Sequence, residues 1–272
     1  MDSASPLWGV CRFDDIKDRI IDCRAKSRLP ENTKSIFVAC FPYLLEKENY
    51  KDSNVSKYAV VTDYHDVAIN RLQKACDKLK QLYPQNTFAP FADNSPIPEV
   101  RAATLAGLGV RGKNSLLITK DYGSYVFLGE IVTDLEISAV DAQSATCIGC
   151  GKCITACPAK AIGQNGVDGA KCLSAITQKK GELTMQEKEK ILAHGLAWGC
   201  DRCQTACPHT KKAIQNGTIY SPVDFFREKC IPALTAEALE AMTDEKFNTR
   251  AYSWRGRDTI LRNLKLFKDG SN

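Results

Sequence analysis

Apolar and polar positions divide the front of the chain into recognisable elements. Ser35-Ile-Phe-Val-Ala-Cys-Phe41 is a short unbroken apolar run, which predicts a buried strand stopped by Pro42. Over 66–83, Ala68, Leu72, Ala75, Leu79 and Leu82 recur at helical spacing and predict a helix with one apolar face. Ile16, Ile20 and Ile21 stand among charges and predict a shorter amphipathic helix over 14–26. The polar, lysine-rich stretch 43–57 reads as a surface loop, and 87–92 as a strand. Ala92-Asp93-Asn94-Ser95-Pro96 is a break. Pro98 then sits in the first turn of a helix and Gly107 near its end, the usual asymmetry. After the glycine-punctuated loop 107–115, segments 116–119 and 125–133 predict a hairpin around Asp121-Tyr-Gly123. Together these elements predict an α+β or α/β first domain over 1–140.

The pattern changes at Cys147. Cys147-Ile-Gly-Cys150-Gly-Lys-Cys153-Ile-Thr-Ala-Cys157-Pro158 has the gaps of a bacterial ferredoxin, and Cys200-Asp-Arg-Cys203-Gln-Thr-Ala-Cys207-Pro208 nearly repeats it. Three thiolates on one tight loop grip one cubane, and the fourth, past a turn, reaches a second. Aligned on the first run, the second has Ala197 where Cys147 stands, so one ligand is missing. Cys172 lies between the runs and fills the gap. The expected sets are Cys147, Cys150, Cys153 and Cys207 for one [4Fe–4S] cluster, and Cys157, Cys172, Cys200 and Cys203 for the other. The alternative is structural zinc, which also uses paired C-x-x-C spacings. The cluster module is expected over 141–215, with a helix at 186–198 delivering Cys200. A mainly helical segment, 216–272, ends in a helix at 257–267.

Composition adds bounds. The 272 residues, 44% of them hydrophobic, suffice for a substantial core plus a smaller module. No apolar run approaches the roughly 20 residues of a membrane span. The start, Met-Asp-Ser-Ala-Ser, lacks a secretory pattern, and of the 13 cysteines Cys11, Cys23, Cys40, Cys76 and Cys230 remain scattered outside the clusters. These features predict a cytoplasmic protein with reduced thiols, acting as a monomer, with Cys40 and Cys76 in the core. The net charge of +5 permits a polyanionic partner without requiring one.

Two clusters alone signify an electron relay, and the long first domain implies that the electrons serve a site on the same chain. Three features mark it. Asp93, beside Asn94 and Ser95, is either a turn or cap residue or a proton donor whose pKa a dry pocket raises. The loop through Gly112, Lys113 and Asn114 is either a turn or a cradle of backbone N–H groups for a cofactor. Asp63-Tyr64-His65 offers a ligand or a structural histidine. In the tail, Arg250, Arg255, Arg257, Arg262, Lys265 and Lys268 with Tyr252 and Trp254 suit either nucleic acid or a solvated helix face, as do Lys179 and Lys180.

These residues resemble the epoxyqueuosine reductases, cobalamin- and iron–sulfur-dependent enzymes of tRNA modification. The resemblance covers roughly 35–265. It rests on Tyr58-Ala59, Asp63-Tyr64-His65, Asp93, Ala106-Gly-Leu-Gly109, Gly112-Lys-Asn114, Tyr122-Gly-Ser-Tyr125 and Leu128-Gly-Glu130. It continues through the cysteine set, Cys172-Leu-Ser174, Thr177-Gln178, Gly199-Cys-Asp-Arg-Cys-Gln204, Trp254-Arg-Gly256 and Arg262-Asn263. The fold implied is α+β: a sandwich-like cobalamin-binding domain related to reductive dehalogenases, a two-cluster ferredoxin-like module and a helical C-terminal segment. The implied reaction removes the epoxide oxygen of epoxyqueuosine at the tRNA wobble position. Electrons would come from an external low-potential donor through the clusters to cobalt. The resemblance implies Asp93 as the acid, Lys113, Asn114, Ser115, Ser174, Thr177 and Asp201 as cobalamin contacts, and Lys180 near tRNA. It leaves His65 out of cobalt ligation, because Ala68 replaces the glycine of the Asp-x-His-x-x-Gly motif. The family continues into a C-terminal helical repeat that this sequence is expected to lack. A corrinoid iron–sulfur reductase on another small substrate, in the manner of reductive dehalogenases, and a ferredoxin-type carrier are the alternatives.

Overall fold

The computed structural model describes residues 1–139, 147–164 and 166–269. Its contacts group into two units, Met1–Pro42 with Tyr64–Gly149, and Tyr43–Asp63 with Cys150–Asn272. The expected division was 1–140, 141–215 and 216–272; its first boundary lies outside the described residues.

The first unit is built on a four-stranded antiparallel sheet in the order β1-β2-β6-β3. Here β1 is Leu7–Arg12, β2 Ser35–Pro42, β3 Phe88–Phe91 and, after two short strands, β6 Val126–Thr133. Every residue of β2 is buried, which explains its unbroken apolar sequence: both faces are covered. Ile36, Val38, Cys40 and Val132 pack with Ala102 and Ala103 of the helix Glu99–Leu105. On the other face lies the helix His65–Leu82, close enough that a Cβ on Gly129 would stand 2.8 Å from Leu72 Cδ1. The single turn Lys57–Val60 is α1, so these helices are α2 (His65–Leu82) and α3 (Glu99–Leu105).

Three local expectations change. Residues 14–26 form short 3-10 turns instead of an α-helix. Only Ile16 finds a fully buried place while Ile21 is largely exposed, so no apolar stripe exists to hold a regular helix. Segments 116–119 and 125–133 do not pair as a hairpin. β5 (Leu117–Ile118) pairs with β4 (Val110–Arg111), whereas β6 joins the main sheet between β2 and β3. In 43–57, Tyr43, Leu44 and Leu45 are buried and not surface. Cys40 and Cys76 lie in the interior, as expected.

The second unit is mainly helical. Two one-turn helices, α4 (Lys152–Thr155) and α7 (Arg202–Thr205), pack on each other. The small pair β7 (Ile162–Gly163) and β8 (Gly166–Val167) leads to α5 (Leu173–Thr177) and α6 (Met185–His194). Then come α8 (Pro208–Gln215), α9 (Ala236–Glu240), α10 (Asp244–Asn248) and α11 (Arg257–Asp269). α11 packs on α5, α6 and α9, which draws the tail into the same body as the cysteines. Stretch 43–63 joins them through a parallel bridge between Val55 and Trp198 and a hydrogen bond from the Ser56 N–H to the Trp198 carbonyl, 2.8 Å. Among the described residues no helix is long and apolar enough to cross a membrane.

The tail's charges serve this packing. Arg250, 1% exposed, donates to the carbonyls of Val60 (2.6 Å), Val61 (3.0 Å), Ala59 (3.3 Å) and Lys229 (2.8 Å). Arg262 donates to the carbonyls of Lys179 and Gly181, while Lys265 pairs with Glu240 and Lys268 with Glu237. Arg250→Ala leaves those four carbonyls with no guanidinium partner. We expect a loss of about 3 kcal/mol or more, read by urea unfolding. Arg250→Lys is expected to recover less than half, because a single ammonium cannot reproduce the planar fork.

Candidate active site and cluster module

The two cysteine runs fold alike. In the first, Gly149 takes φ +66° just before Cys150, and α4 carries Cys153. In the second, Gly199 takes φ +72° just before Cys200, and α7 carries Cys203. Such angles suit glycine because a Cβ would clash with the backbone. At Gly199 space forbids one too, since a Cβ there would lie 2.0 Å from Ser56 Oγ. Pro208 occupies the first turn of α8, where its missing N–H costs nothing.

None of the 13 cysteines, all of them among the described residues, is in a disulfide. Burial pushes the Cys200 thiol up to about 11, and the charges of Asp201, Cys172 and Cys157 add to the effect. Cys157 and Cys172 therefore lie within electrostatic reach of Cys200. Sulfur atoms also receive donors: the Ala161 N–H bonds Cys157 Sγ at 3.3 Å, and His194 Nε2 stands 3.3 Å from Cys200 Sγ. Among the described residues no three such side chains close on a single ion-sized point; a cube of four irons holds its ligands on a wider frame.

Behind these ligands sits a buried polar knot. The Thr177 hydroxyl accepts the Gly199 N–H at 2.9 Å and donates to the Ser174 carbonyl at 2.8 Å. The Asn263 amide donates to the carbonyls of Thr177 and Ala197, at 2.7 and 2.8 Å. Thr177 is thus fully buried and its hydroxyl is occupied, which makes it a brace for the ligand loops rather than a surface offered to a cofactor. Ser174, at intermediate exposure, accepts from Gln178 at 3.1 Å. Asp201 is buried and accepts the Lys57 N–H at 2.7 Å. Lys180 is exposed.

In the first unit, a cavity of about 1390 Å³ has Asp93, Asn94, Ser95, Glu99, Arg111 and Ser115 in its wall. Asp93 and Asn94 both hold left-handed backbone angles, φ +51° and +41°, a conformation that Asp and Asn tolerate in tight turns. The Asp93 carboxylate is 3.2 Å from His65 Nε2, at the start of α2. That hydrogen bond holds Asp93 below the ordinary carboxylate range, and its side chain is 56% exposed. The expectation of a dry pocket that raises its pKa is therefore corrected: the histidine outweighs partial burial. In the 112–115 turn, the Ser115 N–H donates to the Gly112 carbonyl at 2.9 Å. Asn114 is buried and folded back on its own turn, Lys113 is half-buried, and Ser115, at φ +64°, reaches the cavity.

Sequence alone offered His65 only as a ligand or a structural histidine and gave no role to Glu99 or Glu130. His65 pairs with an acid 28 positions away, which no local pattern announces. Glu99 shares the cavity wall, and burial beside Asp93 pushes its carboxyl up to about 7. Glu130 is fully buried on β6, and its pKa is driven well above the ordinary value, first by burial and then by Glu99. A glutamate in the middle of an apolar strand was the available signal.

Comparison with known proteins bears on both units. Residues 146–210 match the family described as 4Fe-4S double cluster binding domain, so this stretch is a domain for two [4Fe–4S] clusters and the zinc alternative falls. Residues 24–94 match the family described as epoxyqueuosine reductase QueG, DUF1730. The chain is 32% identical over 222 residues to an epoxyqueuosine reductase of Lactococcus garvieae, covering 80% of this chain and 62% of that protein. It thus spans less than two thirds of that relative's length. The solved epoxyqueuosine reductase of Streptococcus thermophilus superposes with a TM-score of 0.79 at 26% identity, over 98% of this chain and 78% of that one. An epoxyqueuosine reductase solved with an epoxyqueuosine-modified tRNA-Tyr stem loop gives 0.80 at 26%, over 99% and 80%. A reductive dehalogenase shares the fold alone, with a TM-score of 0.50 at 16% identity over 78% of this chain and 32% of its own.

Replacing Cys172 by alanine is expected to halve the iron and sulfide retained after anaerobic reconstitution; full retention would remove Cys172 from the ligand set. Gly199→Ala should lose the same cluster, because its Cβ displaces Ser56 or the loop ahead of Cys200. The readout is metal analysis together with electron paramagnetic resonance of the reduced protein.

Proposed function

Because the chain belongs to the epoxyqueuosine reductase family, we propose that it reduces epoxyqueuosine to queuosine at the wobble position of tRNA, using two [4Fe–4S] clusters and cobalamin. The observation that carries this reading is the position of Asp93. It stands on the wall of a cavity of about 1390 Å³, in the unit that holds the match to the reductase family. That volume exceeds the roughly 300–1,000 Å³ of ordinary small-molecule pockets and admits a guest as bulky as a corrin. Cobalamin, when bound, supplies a reducible cobalt able to attack an epoxide carbon.

The chain's own residues do the rest. Asp93 gives a proton to the departing oxygen, and His65 orients it and stabilises the carboxylate that remains. Arg111 and Ser115 give the same cavity a polar wall. The cobalamin contacts we propose are Lys113, Asn114 and Ser115 in the first unit, and Ser174 and Asp201 in the second, with Thr177 bracing the second group. Cys147, Cys150, Cys153 and Cys207 hold one cluster; Cys157, Cys172, Cys200 and Cys203 hold the other. An external low-potential one-electron donor feeds them. The nucleic-acid contact assigned here is Lys180, since most tail cations are engaged with carbonyls and carboxylates of their own unit. We place the protein in the cytoplasm, acting as a monomer on tRNA.

The test is mass spectrometry of tRNA nucleosides after incubating epoxyqueuosine-containing tRNA with the reconstituted, reduced protein. Queuosine should appear. Asp93→Asn should keep iron, sulfide and corrin and lose at least about 100-fold in turnover. Retained corrin with no queuosine from the unaltered protein would turn the assignment towards a different small substrate.

A further inference from the structure

The proposed reaction has a proton requirement that Asp93 alone does not meet. Opening the epoxide breaks one carbon–oxygen bond and leaves a hydroxyl, which takes one proton. Breaking the second bond forms the alkene and releases the oxygen as water, which takes another. Two electrons enter one at a time through the clusters from the external donor, so each turnover consumes two electrons and two protons. After its first transfer Asp93 is a carboxylate, and the hydrogen bond to His65 favours that state.

The first unit holds a second pair of acids behind it. Glu99 is the first residue of the helix after the break, and the backbone N–H of Asp93 lies near enough to its carboxyl to favour its charge. Its Oε1 is shut off from solvent with no hydrogen-bond partner among the described residues. Glu130 projects from β6 and is fully buried, with neither oxygen in a hydrogen bond of good geometry, although the Ser95 hydroxyl lies near enough to favour its charge. The unpartnered Oε1 of Glu99 and the two unpartnered oxygens of fully buried Glu130 disfavour charge on both groups at once, so the pair retains at least one proton.

The groups facing the pair are few. Asp93 and His65 act on Glu99, and Asp93 acts on Glu130. Cys11 of β1 and Cys40 of β2 face Glu130, which helps keep both thiols protonated. Arg19, Arg24, Arg28, Arg101 and Arg111 line the cavity; Arg19 is engaged with Asp18 at 3.2 Å, Arg28 with the Pro90 carbonyl at 2.6 Å and Arg101 with the Asp15 carbonyl at 3.0 Å. One wall therefore presents an outer pair that favours the carboxylate and an inner pair that favours the acid. Opposed environments of this kind divide acid and base roles in catalytic sites.

We propose that Glu99, backed by Glu130, is a positioning residue that stores the proton with which Asp93 is recharged between the two protonation steps of each turnover. The proposal rests on the epoxide-reducing function argued above. Glu99 acts through Asp93 and touches no reacting atom. With the store filled below about pH 7 and emptied above it, turnover should fall as pH rises through that value.

The experiment compares the reconstituted protein with Glu99→Gln, Glu99→Asp and Glu130→Gln, reading both pH profiles and infrared difference spectra. In the unaltered protein without substrate, raising the pH from about 6 to about 8 should convert a buried carboxylic acid band into carboxylate. Glu99→Gln should lose that band, lose the matching inflection in the rate profile, and turn over roughly 10- to 100-fold more slowly with bound iron and corrin unchanged. Glu99→Asp should restore part of the rate. Glu130→Gln should leave the inflection near its parental pH, because Glu130 is already neutral there and a neutral amide replaces a neutral acid. A Glu99→Gln protein with the parental rate and inflection overturns the proposal, as does a band that persists in it. If the unaltered protein makes no queuosine, the functional reading fails instead, and the infrared titration still decides whether Glu99 stores a proton.

Discussion

One carboxamide joins the parts of the second unit that have to meet. Asn263 is fully buried on α11 and donates to the carbonyls of Thr177 and Ala197. Its oxygen accepts from Arg262 at 2.9 and 3.1 Å. In a dry interior such bonds are strong, and an unmatched group would be costly, so the amide enforces a single arrangement. Thr177 closes the circuit by accepting the Gly199 N–H. The knot thereby fixes the helix after Cys172 against the loop ahead of Cys200, although the two cysteines are far apart in the chain. The last helix is accordingly part of the cluster module and not an appendage.

The first unit sets its carboxyl groups in opposed environments. A sheet covered on both faces makes a dry place for Glu130, and the turn into α3 brings Glu99 beside it. The same turn forces Asp93 and Asn94 into left-handed angles, which directs Asp93 to the cavity wall and to His65. Burial dominates at Glu99 and Glu130, while hydrogen bonding dominates at Asp93. The difference between an acid that holds its proton and one that releases it comes from burial at the first and a histidine partner at the second.

Positive charge illustrates how composition and structure diverge. A surplus of basic residues with aromatics in the tail is compatible with a nucleic-acid face. Within its unit, however, Arg250 is a buried clip for four carbonyls, Arg257 bridges to Asp244, and Lys265 and Lys268 meet glutamates. Arg255 lies 3.8 Å over the exposed ring of Trp254. Most of the basic tail is thus structural, because guanidinium groups satisfy several carbonyls at once where short helices end close together.

The local features legible in the chain were those carried by close neighbours. The cysteine spacing, the apolar run of β2, the helical period of α2 and the break before α3 each lie within a few turns of backbone, and each was readable as sequence. The burial of Tyr43 to Leu45, the partnership of His65 with Asp93, the pairing of Glu99 with Glu130 and the bracing role of Thr177 were decided only by the tertiary structure. The physical reason is common to all four. Periodicity states which side of an element is covered, but the identity of the covering group is set by segments tens of residues away, and pKa and hydrogen bonding answer to that group.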